Sequence, residues 1–364
     1  MEHIVIYRKA QSYSAFPDLV ALNDGRLIIV FREADLGKDL LGRGYDHLDR
    51  SSRIASLTSR DGGHTWGGYR VLYNSADCGE QDPSIMQRSD GTLMINFFRW
   101  RVVPPDQKDR LFYPALELTN GYWADFEGPF VIVSSDGGAT WSATPTAVDA
   151  APLPRAGCSD AILELTDGTL LLPAYGGDPG STFSRAYVVR SHDGGHTWGE
   201  PALIARHPED ALSFEEPALC DLGGGRLLAM IRSGVYRVGY EYLYRAFSDD
   251  GGLSWHSLAQ TPIWGHPAHL LRLRDGRILC TYGYRRAPFG VRACLSTDGG
   301  HTWDVDNEIV LRADGFDRDL GYPSSVQLPD GSIFTTYYIH HADGDTRYIG
   351  GTHWQGVPTA QSSR

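Results

Sequence analysis

Ser59-Arg60-Asp61-Gly62-Gly63-His64-Thr65-Trp66 is the stretch on which the reading of this 364-residue chain turns, because it recurs. Ser134–Trp141, Ser191–Trp198, Ser248–Trp255 and Ser296–Trp303 carry the same order of Ser, Asp-Gly-Gly, Thr or Ser, and Trp. Five copies of an eight-residue pattern mean that one supersecondary unit is repeated along the chain. Within a copy, the Gly-Gly pair permits a tight turn, the Ser and Asp can bond turn amides, and the Trp can pack on a sheet. The five Asp residues fall in separate units and do not converge, so the motif reads as structural.

A second repeat interleaves with the first. Apolar strands flank Asp24-Gly25, Asp90-Gly91, Asp167-Gly168, Asp275-Gly276 and Asp330-Gly331, and Gly224-Gly225 takes the same place in another unit. Such pairs between strands predict two-residue type I′ hairpins, in which both central residues need φ > 0. In the first unit, strands at 19–22 and 27–32 flank the turn, 54–58 leads into the motif and 69–72 leaves it. The sixth hairpin has no motif after it and lacks a fourth strand, which His3 to Tyr7 can supply from the other terminus. Closing a ring in this way removes an exposed sheet edge. The expectation is an all-β, six-bladed β-propeller of four-stranded antiparallel blades, one domain over 1–354 with a loose tail at 355–364.

Composition narrows the function. The formal net charge of −12 disfavours nucleic acid and anionic membranes as partners. No apolar run reaches the length of a membrane-spanning helix, and the N-terminus has no basic and then apolar leader, so a cytoplasmic protein is expected, with a secreted mature form as the alternative. Five scattered cysteines read as buried thiols, and no spacing calls for a metal or another cofactor.

Counting back from the hairpin turns locates the site. Eight residues before each turn stand Phe16, Asp82, Ser159, Glu216, Pro267 and Tyr322. Four of them are followed by Pro (Pro17, Pro83, Pro217, Pro323), while unit five has His266-Pro267 and unit three Ser159-Asp160. At the exits of the second strands stand Arg32, Arg99, Tyr175, Arg232, Tyr284-Arg285 and Tyr338. In a propeller both positions open on the axial mouth, so carboxylates, Tyr, His and Arg converge there. Asp82, Asp160, His266, His269, Arg32 and Arg99 are candidate substrate ligands on this register.

The repeated motif resembles the Asp boxes, or BNR repeats, of the sialidase (neuraminidase) superfamily. Two further segments are similar to that family. Glu216, followed by Arg232, resembles the segment with the catalytic Glu and one of three carboxylate-binding arginines. Gly321-Tyr322-Pro323-Ser324-Ser325, before Pro329-Asp330-Gly331, resembles the segment with the catalytic Tyr. The resemblance implies Arg285 or Arg286 as a second arginine and Asp46 or Asp49 as acid/base. It also exposes a departure: Ala15 stands where the first-blade arginine of an Arg-Ile-Pro-type motif belongs, so either Arg32, Arg43 or Arg99 replaces it, or the site binds its carboxylate differently, or it binds another sugar acid.

What the resemblance implies is a glycoside hydrolase for a carboxylate-bearing sugar, with Tyr322 as nucleophile and Glu216 as its base. A neutral phenol suits an anomeric carbon whose own carboxylate would repel an anionic nucleophile. The partner is then a glycan or a small sugar acid. Two alternatives stand beside it: a uronic-acid lyase using Arg232, Tyr322 and His266, and a non-catalytic glycan-binding propeller.

Overall fold

The computed structural model describes residues 1–35, 49–111, 116–118, 121–151, 156–177, 181, 183–234, 241–342 and 346–355. Six antiparallel sheets follow one another along the chain. Blade one consists of Ser12–Ala21, Leu27–Asp35, Arg53–Ser59 and Gly67–Tyr73 in that order. Blades three, four and five repeat the plan from Leu163, Ser213 and Ala268. Blade two differs in having a fourth strand of only two residues, Thr146–Ala147, and a short extra strand, Leu116–Glu117, against its third. Blade six takes its outer strand from Glu2–Tyr7, which pairs antiparallel with Tyr348–Trp354 and closes the ring as expected.

The second strands explain the packing. Leu27 to Phe31 are five consecutive buried apolar residues, which a strand shows when both sheet faces are covered. Their alternation divides them between two cores. Leu27, Ile29 and Phe31 pack toward blade six, while Ile28 and Val30 pack toward blade two. The same division around the ring yields one apolar wedge between each pair of neighbouring blades.

The repeated motif is a closed hydrogen-bond unit. Asp61 Oδ1 accepts from Ser59 Oγ (2.8 Å) and Thr65 N (2.9 Å), its Oδ2 accepts from Thr65 Oγ1 (2.6 Å), and Ser59 Oγ accepts from Gly63 N (2.8 Å). Asp136, Asp193, Asp250 and Asp298 are held in the same way. These carboxylates lie at the turns between third and fourth strands, on the face away from the entries of the first strands.

The hairpin turns correct one expectation. Gly25 has φ +85°, but Asp24 does not have positive φ, and Gly25 N donates to Leu22 O at 2.9 Å. This is a three-residue loop, a type I turn followed by a left-handed Gly. Gly91, Gly168, Gly276 and Gly331 repeat it. The Asp before each Gly favours this form because its carboxylate accepts from the amide two residues on, as Asp24 does from Arg26 N at 3.0 Å. The type I′ form occurs at Gly224-Gly225, where both residues have positive φ between the paired Gly223 and Arg226.

Candidate active site

A defect repeated in four blades builds the site. Pairing between the first two strands slips at the same point in blades one, two, four and six, so that two residues oppose one. The first residue of each bulge is Phe16 (φ +54°), Asp82 (+43°), Glu216 (+47°) or Tyr322 (+46°), and the second is a Pro. A left-handed backbone costs a non-Gly residue on the order of 1–3 kcal/mol. A bulge re-aims its side chain, and Pro suits a place where no ladder hydrogen bond is made. Four side chains are thereby turned into one mouth of about 280 Å³, with Phe98, Tyr175, Arg232, Arg285, Asp319 and Tyr338 around them.

At its centre Tyr322 donates its hydroxyl to Glu216 Oε1 at 2.5 Å. Arg232 Nη1 lies 2.9 Å from both oxygens of the same carboxylate. Phe16 packs edge-on against the Tyr322 ring, with centroids 4.6 Å apart. Burial by itself would raise the Glu216 carboxyl. The Arg232 charge, the bonds from Tyr322 and Arg232 and the Arg285 charge outweigh it and hold the group below its ordinary value. Tyr322 moves the other way: burial and then the Glu216 charge keep it a neutral phenol. A neutral phenol bonded to an ionised carboxylate is the resting state of a nucleophile beside its base.

Asp82 shares the mouth without sharing the bonds. Its Oδ1 is buried with no hydrogen-bond partner, and no ion pair to it occurs among the described residues. Burial and then the Glu216 charge push its carboxyl well above the ordinary range, which favours the protonated form. Glu215 also lines the mouth, 3.9 Å from Arg232 Nε, and its carboxyl is raised as well, first by burial.

The arginines divide. Arg285 donates Nε to Leu320 O at 3.1 Å, sits 5.6 Å from the Tyr322 ring centroid and has no carboxylate partner among the described residues. Arg286 is exposed outside the mouth, 4.3 Å from the Trp264 ring centroid, with Nε on the Tyr284 hydroxyl. Arg32 pairs across the strands with Ala15 but lies buried behind the mouth, over the Tyr13 and Phe16 rings, with Nε bonded to Ser52 Oγ. Arg99 corrects the register. The residue equivalent to Arg32, Arg232 and Tyr338 is Phe98, paired with Gln81, and strand alternation turns Arg99 toward Glu127 (2.5 Å) and the Tyr73 hydroxyl (3.2 Å). Neither Arg32 nor Arg99 therefore lines the mouth in place of the arginine missing at Ala15.

Asp319 was not singled out by sequence, yet it forms the wall beside Phe16. Its Oδ1 accepts from Tyr13 (2.9 Å) and Tyr338 (3.0 Å), and its Oδ2 from Arg347 Nε (2.8 Å). Burial opposes its ionisation, but the Arg347 charge and these bonds hold it below the ordinary carboxylate value. Its one sequence signal is its place three residues before Tyr322.

Other candidates fall elsewhere. Asp46 and Arg43 lie outside the described residues. Asp49 is buried, with Oδ1 accepting from Ser51 N and Oγ, both at 2.8 Å, so it is tied into its own turn. Asp160 is a tether between blades: its Oδ2 accepts from Leu219 N (3.0 Å), as Asp18 accepts from Ile85 N (2.7 Å). Burial and then the Asp18 charge push Asp160 up to about 8. His266 is buried off the mouth with neither ring nitrogen bonded, and burial followed by the Arg232, Arg285 and Arg318 charges keeps it neutral. His269 borders the narrow axial channel and is lowered by burial to about 4. All five cysteines are buried free thiols. Among the described residues no group of His, Cys, Asp and Glu could hold a metal ion, and no helix is long and apolar enough to cross a membrane.

Comparison with known proteins agrees with this architecture. The BNR repeat-like domain family matches residues 101–335. The chain is 31% identical to a Dyadobacter fermentans protein of unknown function, with a TM-score of 0.85 and 97% of each chain covered. It is 19% identical to the Hadza microbial sialidase Hz136, with a TM-score of 0.65, covering 94% of this chain and 66% of that one. It is 14% identical to the intramolecular trans-sialidase from Ruminococcus gnavus, with a TM-score of 0.64 and 94% of each chain covered. A search of curated proteins finds no match. The chain thus belongs to the BNR repeat-like domain family and has the six-bladed propeller fold of the sialidases.

Proposed function

We propose that the protein is a sialidase-like glycoside hydrolase acting on a sugar that bears a carboxylate at or beside its anomeric carbon. The observation that carries this reading is the 2.5 Å bond from the Tyr322 hydroxyl to a Glu216 carboxylate that Arg232 also holds. Charge in the mouth supports the substrate class. Glu216 is balanced by Arg232 and Asp319 by Arg347, while burial first of all disfavours the ionised forms of Asp82, Glu215 and Tyr322. Arg285, beside the nucleophile, has no carboxylate partner among the described residues, and Arg232 Nε makes no hydrogen bond and lies 3.9 Å from Glu215 Oε2. An arginine in that position prefers a carboxylate, which it can bind through two parallel bonds.

In the proposed reaction Glu216 takes the phenolic proton as the Tyr322 oxygen attacks the anomeric carbon. The bond to the leaving oxygen breaks, and that oxygen receives a proton from the acid. Water, giving a proton to the carboxylate left by the acid, then attacks the anomeric carbon as its bond to the Tyr322 oxygen breaks, and the proton on Glu216 returns to the phenolate. We assign the acid/base role to Asp46, since the Asp49 carboxylate is occupied by Ser51. Asp82, protonated, is suited to donate a hydrogen bond to bound sugar. Of the residues named for the lyase alternative, Arg232 and Tyr322 line the mouth and His266 does not, so that reading would rest on Tyr322 as base.

A panel of aryl sialosides and aryl uronides tests the reading. Hydrolysis of an aryl glycoside of a sugar acid, without an unsaturated ultraviolet-absorbing product, is the expected result. Unsaturated product, or turnover confined to neutral glycosides, would contradict it.

A further inference from the structure

A second cleft, larger than the mouth, stands apart from it. It lies on the opposite face, between the outer strand of blade one and the Asp-box turn of blade two, and encloses about 610 Å³. Local sequence accounts for it. Trp66 is followed by Gly67-Gly68, and a Cβ built on either glycine meets nothing within 4 Å. The other copies continue with Ser142, Gly199-Glu200, His256 or Asp304, so the paired glycines belong to blade one alone.

The walls are braced and the lining is chemically uneven. Arg70 donates to Gly138 O (2.8 Å) and Ala139 O (2.6 Å), and Arg26 to Gly137 O (3.0 Å), which fixes the blade-two turn against blade one. Trp66 and Trp141 bring half-buried indoles to the cleft. Asp136, the acid of this cleft, already accepts from Ser134 and Thr140. Arg60 at the rim is exposed, with no hydrogen bond or ion pair to it among the described residues, and its charge is one of those that lower Asp24. On a chain of net charge −12 this cleft brings two indoles together with an exposed guanidinium. Indole faces suit the C–H faces of sugar rings, and a free guanidinium suits a carboxylate or sulfate.

We propose that this cleft is a second, non-catalytic binding site for an acidic glycan. The proposal does not depend on the reaction at the mouth. Its effect would be to hold a polymeric or surface-bound acidic glycan to the face opposite the mouth, raising the local concentration of chain ends there.

The test is calorimetric titration of the full chain carrying Tyr322→Phe, which leaves probes uncleaved in the proposed reaction. Trigalacturonate and 3′-sialyllactose serve as acidic probes, with maltotriose and lactose as neutral counterparts. Saturable binding of an acidic probe is expected, weakened about tenfold by Arg60→Ala, the loss of one charged contact. Arg285→Ala, added to the Tyr322→Phe chain, weakens binding at the mouth and should leave binding at this cleft unchanged. In that background Gly67→Leu, which places a side chain in open space, should abolish the remaining acidic-probe binding without lowering the melting temperature. Acidic-probe binding in the Arg285→Ala background that survives both cleft variants, its absence from that background before any cleft variant is added, equal binding of neutral probes, or no saturable binding of either acidic probe would each overturn the proposal.

Discussion

The two faces of this propeller use the same side chain in opposite ways. On the Asp-box face, five aspartates are filled with hydrogen bonds from their own turns, and all are held below the ordinary carboxylate value. For Asp61 the leading cause is the Thr65 side-chain bond, and the shift arises without burial. On the mouth face, Asp82 is buried with one oxygen unpartnered and is pushed up by burial and by Glu216. A satisfied carboxylate stabilises a turn. An unsatisfied one, held at a strained backbone position, is a cost that folding alone does not explain. The aspartate that recurs is the architectural one, and the one that does not recur lies at the site.

The contrast can be broken most sharply at the centre of the mouth. Glu216→Gln and Tyr322→Phe should each reduce kcat/KM by roughly 10³-fold, the scale of losing a base or nucleophile, with unchanged melting temperature. Steady-state kinetics on a substrate found in the aryl glycoside panel checks this, and full activity in both variants would remove the assignment. Asp82→Asn tests the neutral state of that carboxyl. Because the active form is protonated, activity in the parent chain should fall as pH rises through the raised Asp82 value. Asn cannot ionise, so the variant should keep kcat/KM within about tenfold and lose that alkaline limb. A loss as large as that of Glu216→Gln would show that Asp82 must ionise.

Smaller effects belong to the structural carboxylates. Asp250→Ala removes acceptors for Ser248 and Ser254 and should lower the melting temperature by a few degrees, with kcat/KM unchanged within about twofold. A fall in activity at full stability would mean that the motif touches substrate. The smallest effect is a slope. Burial, the leading cause in each case, raises Asp18 to about 6, Glu80 to about 7 and Asp160 to about 8. The folded chain therefore holds more protons at these groups than the unfolded chain between roughly pH 4 and 8. Their contribution to stability is complete below that window and is lost as pH rises through it. Asp160→Asn should flatten the fall and raise the melting temperature near pH 8 by roughly 2 °C. An unchanged profile in calorimetric scans from pH 5 to 9 would contradict the assignment.

Much of this was legible because repetition supplies its own alignment. Six hairpin turns set the blade count, and the missing motif after the sixth pointed to closure by His3 to Tyr7. The Pro after Phe16, Asp82, Glu216 and Tyr322 marked the bulges that aim the site. What was not legible depended on direction rather than position. Choosing Arg99 in place of Phe98 is a slip of one residue, and in a strand one residue reverses the side chain. Asp160 occupies an aligned position, but its bond to Leu219 crosses to another blade, which repeat counting within one unit does not register. The Ala15 departure was visible in the sequence. The cluster of Tyr13, Tyr338 and Asp319 near it joins residues more than 300 apart along the chain.

The central claim is that Tyr322 carries the sugar during turnover. A slow-reacting fluorinated analogue of whichever sugar acid is cleaved, bearing fluoride as leaving group, should trap the intermediate for intact and peptide mass spectrometry. The account predicts one added sugar mass on the peptide containing Tyr322, absent from Tyr322→Phe. An adduct on another residue, or one that persists in Tyr322→Phe, would contradict it.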